Sequence, residues 1–506
     1  MKAFTEPLLS LAGFEEMTKT AEKSSGLISV TGCIDAQKSQ MIYAFGGHRK
    51  NKLIVTFGEQ KARELYDEYS FFDKEVVYYP SKDVLFYQSD IRGNLLTAER
   101  IRALKAIREQ ERVTLVTTFD ALMNTMAPIE KMWENVLTLE QGQLLDLKEI
   151  QAALIRMGYE KEYQVQTMGQ FSVRGGILDV FPLTEENPIR IELWGDEIDT
   201  IRYFDCESQK SIENTDRVSI YPAAELVLSD EEKAGGIDKL KAEAKRVSDK
   251  LRKQMKTEEA HRVTVMADEL TEEWGELSMY AGMDAFLSYF FDERVGLLDY
   301  FKPSDSLIFF DELTRCTEQG KLTETEFSES MKQRLAMGYI LPGQMNGLFT
   351  EKEIVAKLGK YSCIALAALD NKANGLHQLG SYGIHCQSVS PYNNSFELLI
   401  KDLKRYKKNG YRVILLSGSR TRAKRLSEDI TDQGITCFYT ENYDHELFEG
   451  QIMVCYGKVR RGFEYPILKF AVITESDIFG AQQKKKKRHR TCLLYTSDAA
   501  DDLIGV

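Results

Sequence analysis

Apolar runs of four or five residues recur through the first 128 positions: LISV at 27–30 before a glycine, LIVTF at 53–57, VVYY at 76–79 and VTLV at 113–116. Polar and amphipathic stretches separate them, one beginning at Glu59. Unbroken apolar runs predict strands buried on both faces, and helices between them predict parallel βαβ units. Near Asp146 the texture changes. Asp146 with Glu149 predicts a capping-box start for a helix whose stripe is Leu147, Ile150, Leu154 and Met157, stopped at Gly158. Residues 164–205 then alternate with period two, which predicts an antiparallel β insert. Residues 229–277 are charged and helical in character. LIFF at 307–310 predicts another buried strand, ending in Asp311–Glu312. A last small α/β unit begins near Pro391. Phe396, Leu399, Ile400 and Leu403 line one helix face, Asn409–Gly410 stops that helix, and 413–416 and 471–474 read as strands. No repeat of fixed period is present.

Composition narrows the class. With 506 residues and 43% hydrophobic content, the chain can bury cores in several domains. A net charge of −12 argues against broad nonspecific attraction to nucleic acid, which needs clustered Lys and Arg. No run of 18 apolar residues occurs, so no membrane span is expected, and the N-terminus has acids inside its apolar stretch, unlike a secretory signal. The eight cysteines are scattered without a CxxC pair, as in a reduced, cytoplasmic protein, and no metal site is expected. Lys484–Lys487 with Arg488 reads as a solvated basic linker. Residues 491–506 fit neither periodicity and look like translated adapter sequence, so the natural gene is expected to continue past Arg490.

Two places carry candidate chemistry. After the first strand comes GCIDAQKS, residues 32–39. A working phosphate loop reads GxxxxGK[ST]. Gly32, Lys38 and Ser39 hold that spacing, but Gln37 replaces the second glycine, where a side chain costs roughly 1–2 kcal/mol if φ is positive and also occupies phosphate space. Asp35 adds negative charge beside a site meant for a polyanion. Asp311 and Glu312 stand where a magnesium-holding acid would close such a site. Together these fragments predict a RecA-like sheet with a degenerate, inactive nucleotide site.

The second place is the β insert. In PIRIELW, residues 188–194, alternation sends Ile189, Ile191 and Leu193 toward a core and Arg190, Glu192 and Trp194 outward. Arg and Trp on one exposed strand face are residue types that dominate protein interfaces. The other reading is that Trp194 caps a neighbouring domain. In GQFSVRGGILDVFP, residues 169–182, Phe171 and Val173 share one face and Ser172 and Arg174 the other, with Gly175–Gly176 as a turn or bulge. Arg174 and Arg190 then either share one basic and aromatic surface or are two separate solvated arginines.

These two segments, with IRIELWGDEIDTIRYFD at 189–205, resemble the UvrA-binding domain shared by UvrB and bacterial transcription-repair coupling factors. The degenerate VTGCIDAQKSQ loop and the terminal ITESDIFG point to the coupling factors rather than to UvrB, which keeps an intact phosphate loop. The resemblance implies an α/β fold. A UvrB-like RecA-like domain is expected over 1–128 and 223–390, an inserted antiparallel β-rich domain over 129–222, a small α/β domain over 391–480, and a linker over 481–490. It implies a role in transcription-coupled nucleotide excision repair: recruitment of UvrA through Arg174, Arg190 and Trp194, without ATP hydrolysis. ATP and Mg²⁺ are expected only in motor domains beyond this chain, as are contacts with RNA polymerase and double-stranded DNA. The UvrA face is expected to be permanently open, and the chain a monomer. The rivals are an active UvrB-like ATPase acting on damaged DNA, and a scaffold without a surviving partner.

Overall fold

The computed structural model describes residues 1–45, 49–82, 94–276, 283–369 and 375–480; the basic run and the tail after it lie outside them. Two compact units divide the chain. The first holds Met1–Gln387 with Asn442–Glu446 and Tyr465–Leu468, and the second holds Ser388–Glu441, Leu447–Glu464 and Lys469 onward.

Along the chain run β1 (Gly26–Thr31), α1 (Asp35–Phe45), β2 (Asn51–Thr56), α2 (Glu59–Tyr69), β3 (Val77–Tyr79), α3 (Asn94–Glu109) and β4 (Val113–Thr118). The insert follows: β5 (Leu137–Glu140), α4 (Leu147–Arg156), β6 (Glu160–Lys161), β7 (Gln170–Arg174), β8 (Ile177–Val180), β9 (Ile189–Trp194), β10 (Glu197–Phe204), β11 (Ser211–Thr215) and β12 (Arg217–Ile220). Next come the long helices α5 (Asp230–Lys253) and α6 (Thr257–Glu276), then β13 (Ser306–Asp311), α7 (Leu313–Ala336), β14 (Ser362–Leu366) and β15 (Gln378–Gly383). In the region of the second unit lie β16 (Gln387–Ser388), α8 (Phe396–Lys408), β17 (Arg412–Ser417), α9 (Arg420–Asp432), β18 (Phe438–Tyr439), β19 (Ile452–Tyr456), β20 (Phe463–Tyr465) and β21 (Phe470–Thr474).

The protein is mixed α/β. Seven strands form one sheet in the order β15-β1-β14-β13-β2-β4-β3, with every pairing parallel. Its central strands are apolar on both faces: Ile28, Val30, Ile54, Phe309 and Ile364 are as fully buried as Leu53, Leu115, Ile308 and Cys363. That two-sided burial is why these strands read as unbroken apolar runs. β14 lies between β1, which leads into the loop at Gly32, and β13, which ends at Asp311.

The insert is a separate six-stranded sheet, β11-β10-β9-β8-β7-β6, antiparallel except that β6 pairs parallel to β7. A separate two-stranded sheet pairs β5 with β12 antiparallel and adds Leu139, Val218 and Ile220 to the same core. One face packs on α4 through Phe171, Leu178, Val180, Ile189, Ile191, Ile201 and Leu154. Asp146 caps α4, accepting the Lys148 amide at 2.7 Å and the Glu149 amide at 3.4 Å, so the backbone of Glu149 rather than its carboxylate makes the cap contact. The second unit has its own sheet, β16-β20-β21-β17-β19-β18, and its own core of α8 and α9 against Val413, Leu415, Val454 and Ile473. Among the described residues no helix is long and apolar enough to cross a membrane.

Candidate functional site

The outer face of the insert sheet is built by register. Gly175–Gly176 joins β7 to β8, which sets Arg174 opposite Ile177 and Ser172 opposite Asp179. On β9 the pairing sets Arg190 opposite Asp179 on one side and Arg202 on the other. Two arginines therefore converge on one carboxylate. Arg190 donates from Nε and Nη2 to the two oxygens of Asp179 at 2.7 and 2.8 Å, and Arg174 donates from Nη2 at 3.0 Å. Asp179 is buried beneath them, at 1% exposure. The paired geometry of Arg190 is the strong, bidentate kind, and hydrogen bonding to Asp179 holds its guanidinium above the ordinary arginine range.

Arg190 is fixed on two further sides. Its guanidinium lies over the Phe204 ring, 4.4 Å from the centroid, and Nη2 also donates to Gln209 Oε1 at 2.9 Å. Gln209 adopts a left-handed backbone, φ 58°. Arg190 is thus a half-buried side chain held on several sides of the outward face where alternation places it; Nη1 carries no hydrogen bond to the described protein. Beyond it, Arg202 and Thr200 clasp Glu192. A register shift between Glu192 and Leu193 then turns the strand, so Leu193 is only half-buried where alternation predicts a core position. Trp194, on the Arg190 side of the sheet, is 84% exposed. The structure therefore brings Arg174 and Arg190 into one cluster, with Trp194 exposed two pleat repeats further along the same strand, past Glu192. Asp179, Phe204, Gln209 and Arg202 were not singled out from sequence; the Gly-Gly turn gave the register that finds Asp179.

The loop at Gly32 has a different geometry. Gly32 has φ +79°, and a Cβ there would meet the Ile384 carbonyl oxygen at 2.0 Å, so glycine is required by the close approach of the backbone just after β15. The Gly32 and Cys33 amides donate to the Ala368 and Ala367 carbonyls, at 3.3 and 2.9 Å, and the Gln37 amide to Ile34 at 3.2 Å. Gln37, Lys38 and Ser39 are all buried. Gln37 accepts the Tyr465 hydroxyl at 3.2 Å. Lys38 Nζ reaches Asp311 at 2.5 Å, Glu312 at 2.9 Å and Asp35 at 3.2 Å. Burial alone would lower its pKa, but Asp311 first and then Glu312 hold the ammonium above its ordinary range. Thr56 donates to the second Asp311 oxygen at 2.9 Å. Glu312 sits in the left-handed region, φ 60°, with its carboxylate also accepting the Ala368 amide.

Residues 137–226, the insert, match the model of the UvrB interaction domain. Over most of its length the chain is similar to transcription-repair-coupling factors. It is 28% identical to that of Bacillus subtilis (strain 168) over 437 residues, covering 86% of this chain and 36% of the relative. The factor of Staphylococcus haemolyticus is 26% identical over 476 residues, 92% of this chain and 39% of its own. That of Staphylococcus aureus (strain MRSA252) is 26% identical over 488 residues, 94% and 40%. The family resemblance read from the sequence is borne out. The chain spans about two-fifths of the length of the relatives it matches.

Proposed function

We propose that the outer face of the insert sheet is a docking surface for UvrA, and that the chain acts in the cytoplasm as a recruitment adaptor for transcription-coupled excision repair, with no chemistry of its own. The observation that carries this is the Arg174–Asp179–Arg190 cluster with Trp194 exposed beside it. Guanidinium groups held rigid by a buried counter-charge lose little entropy on binding, and an aromatic ring left in water gains by burial.

The segment from Gly32 to Ser39 does not fit a triphosphate. Three of the loop amides, those of Gly32, Cys33 and Gln37, already donate to protein carbonyls, and Lys38 is saturated by three carboxylates. In this reading the RecA-like sheet keeps the loop as a structural joint: Lys38 bridges β13 to α1, where an ATPase of this design holds its metal and phosphate. In this reading no contact with RNA polymerase or double-stranded DNA, and no ATP hydrolysis with Mg²⁺, is assigned to the residues of this chain. Calorimetric titration of UvrA against the purified chain, wild type and Arg190→Ala, tests the proposal. Binding that the substitution weakens supports it; absence of binding refutes it.

A further inference from the structure

The same sheet face ends in a second feature of opposite charge. At the tip of the β9–β10 hairpin an open groove of about 700 Å³ runs beside Trp194. Its walls carry Glu140, Glu197, Asp199 and Asp216, and one base, Arg217, which pairs with Glu140 at 3.2 Å. Four carboxylates face one guanidinium, so the groove is strongly negative. Trp194 stands on its edge, 84% exposed, and Leu144, 75% exposed, bridges to Glu197 beside it. Both side chains flank Glu197, since Trp194 pairs with Glu197 in the strand register and Leu144 bridges to it from the other side.

The frame around this groove is rigid. The loop at 140–145 is laced to β10 by backbone bonds: Gly142 to Ile198 at 2.8 Å, Ile198 to Gln143 at 2.9 Å and Leu145 to Asp196 at 2.7 Å. The Gln141 side chain adds a bond to the Asp199 carbonyl at 2.7 Å. A preformed, negative groove with an exposed indole on its edge is complementary to one kind of group: a lysine or arginine with an apolar neighbour. The cation stacks on the indole face, and the carboxylate directly across the strand pair supplies its counter-charge.

Resting on the UvrA reading, we propose that this groove takes a basic side chain of the docked partner, stacked on Trp194 and paired with Glu197, while the Arg174–Arg190 cluster takes an acidic one. The partner surface is then two-signed along a single line, which fixes the direction of docking as well as its site. Electrostatic complementarity of this sort selects orientation and excludes wrong partners.

The sign of one substitution set separates this from docking through the arginines alone. If the partner surface is uniformly acidic, removing acids beside it relieves repulsion and tightens binding. If a base enters the groove, removing them weakens it. The test is UvrA affinity by calorimetry, at low and at high salt, for the wild-type chain, Arg190→Ala, and a triple variant Glu197→Gln, Asp199→Asn, Asp216→Asn. All three acids are exposed, so the variant keeps its fold, which circular dichroism verifies. The expected result is that the triple variant binds about tenfold more weakly at low salt, with the difference shrinking at high salt. A triple variant that binds as tightly as wild type or tighter, while Arg190→Ala weakens, overturns the groove assignment and leaves the docking surface standing. No UvrA binding by any of the three overturns both.

Discussion

Asp179 grips Arg190 with both carboxylate oxygens, at 2.7 and 2.8 Å, and shares one of them with Arg174 at 3.0 Å. One buried acid therefore sets the position of both arginines. Asp179→Asn removes that charge and leaves two guanidinium groups close together without a counter-charge. It is expected to weaken UvrA binding nearly as much as removal of Arg190, and to destabilise the insert by about 2 kcal/mol. Urea unfolding followed beside calorimetry checks both; affinity equal to wild type would show that the arginines need no such anchor.

Arg190→Ala and Trp194→Ala are each expected to cost about 2 kcal/mol of UvrA binding. They differ in stability. Trp194 is almost fully exposed, so its loss leaves the unfolding midpoint unchanged. Arg190 packs on Phe204 and holds Asp179, so its loss lowers the midpoint. A Trp194→Ala protein that unfolds early would mean that the indole supports the fold rather than a partner.

At the loop site the expectation runs against simple repair of the motif. Gln37→Gly restores the GxxxxGK[ST] pattern, yet Lys38 stays held by Asp311, Glu312 and Asp35. The variant is expected to bind no ATP by calorimetry. Lys38→Met, which strands the buried Asp311, is expected to destabilise the protein by about 3–5 kcal/mol. ATP binding by Gln37→Gly would instead show a site silenced by one residue.

A buried network in the first unit predicts the acid response. Arg100 donates to Glu225 at 2.7 and 3.1 Å, and Lys82 lies 3.1 Å from the same carboxylate. Burial alone would raise the Glu225 pKa, but Arg100 and then Lys82 hold it down at about 2, against an ordinary 4.5. The folded-state value is depressed, so this contribution is complete above about pH 4.5 and fades as pH falls toward 2. The gap in Tm between wild type and Glu225→Gln should narrow across that window. A gap that stays constant from pH 6 down to about 2.5 would contradict the assignment.

Much of the fold was legible because its signals are local. Strands buried on both faces, such as those of Ile54 and Phe309, leave unbroken apolar runs, and alternation set Arg190 and Trp194 on one outward strand face, while a surface shared with Arg174 was one of two readings that it left open. What stayed hidden depends on contacts far apart in sequence. The pairing of Lys38 with Asp311 joins residues 273 apart, and that of Tyr465 with Gln37 joins residues 428 apart. Alternation placed Arg190 on the outward face but could not show its clasp on Asp179, because period two gives the face of a residue and not its cross-strand partners. The shift at Leu193 escaped for the same reason: a bulge is a property of two strands.

The most direct test of the adaptor reading is one titration experiment: UvrA into the purified chain by calorimetry, with ATP and Mg²⁺ titrated into the same preparation alongside. The account predicts saturable heat with UvrA and none with ATP. Heat with ATP and none with UvrA would contradict it, and would make the protein a nucleotide-binding one whose docking face has no such partner.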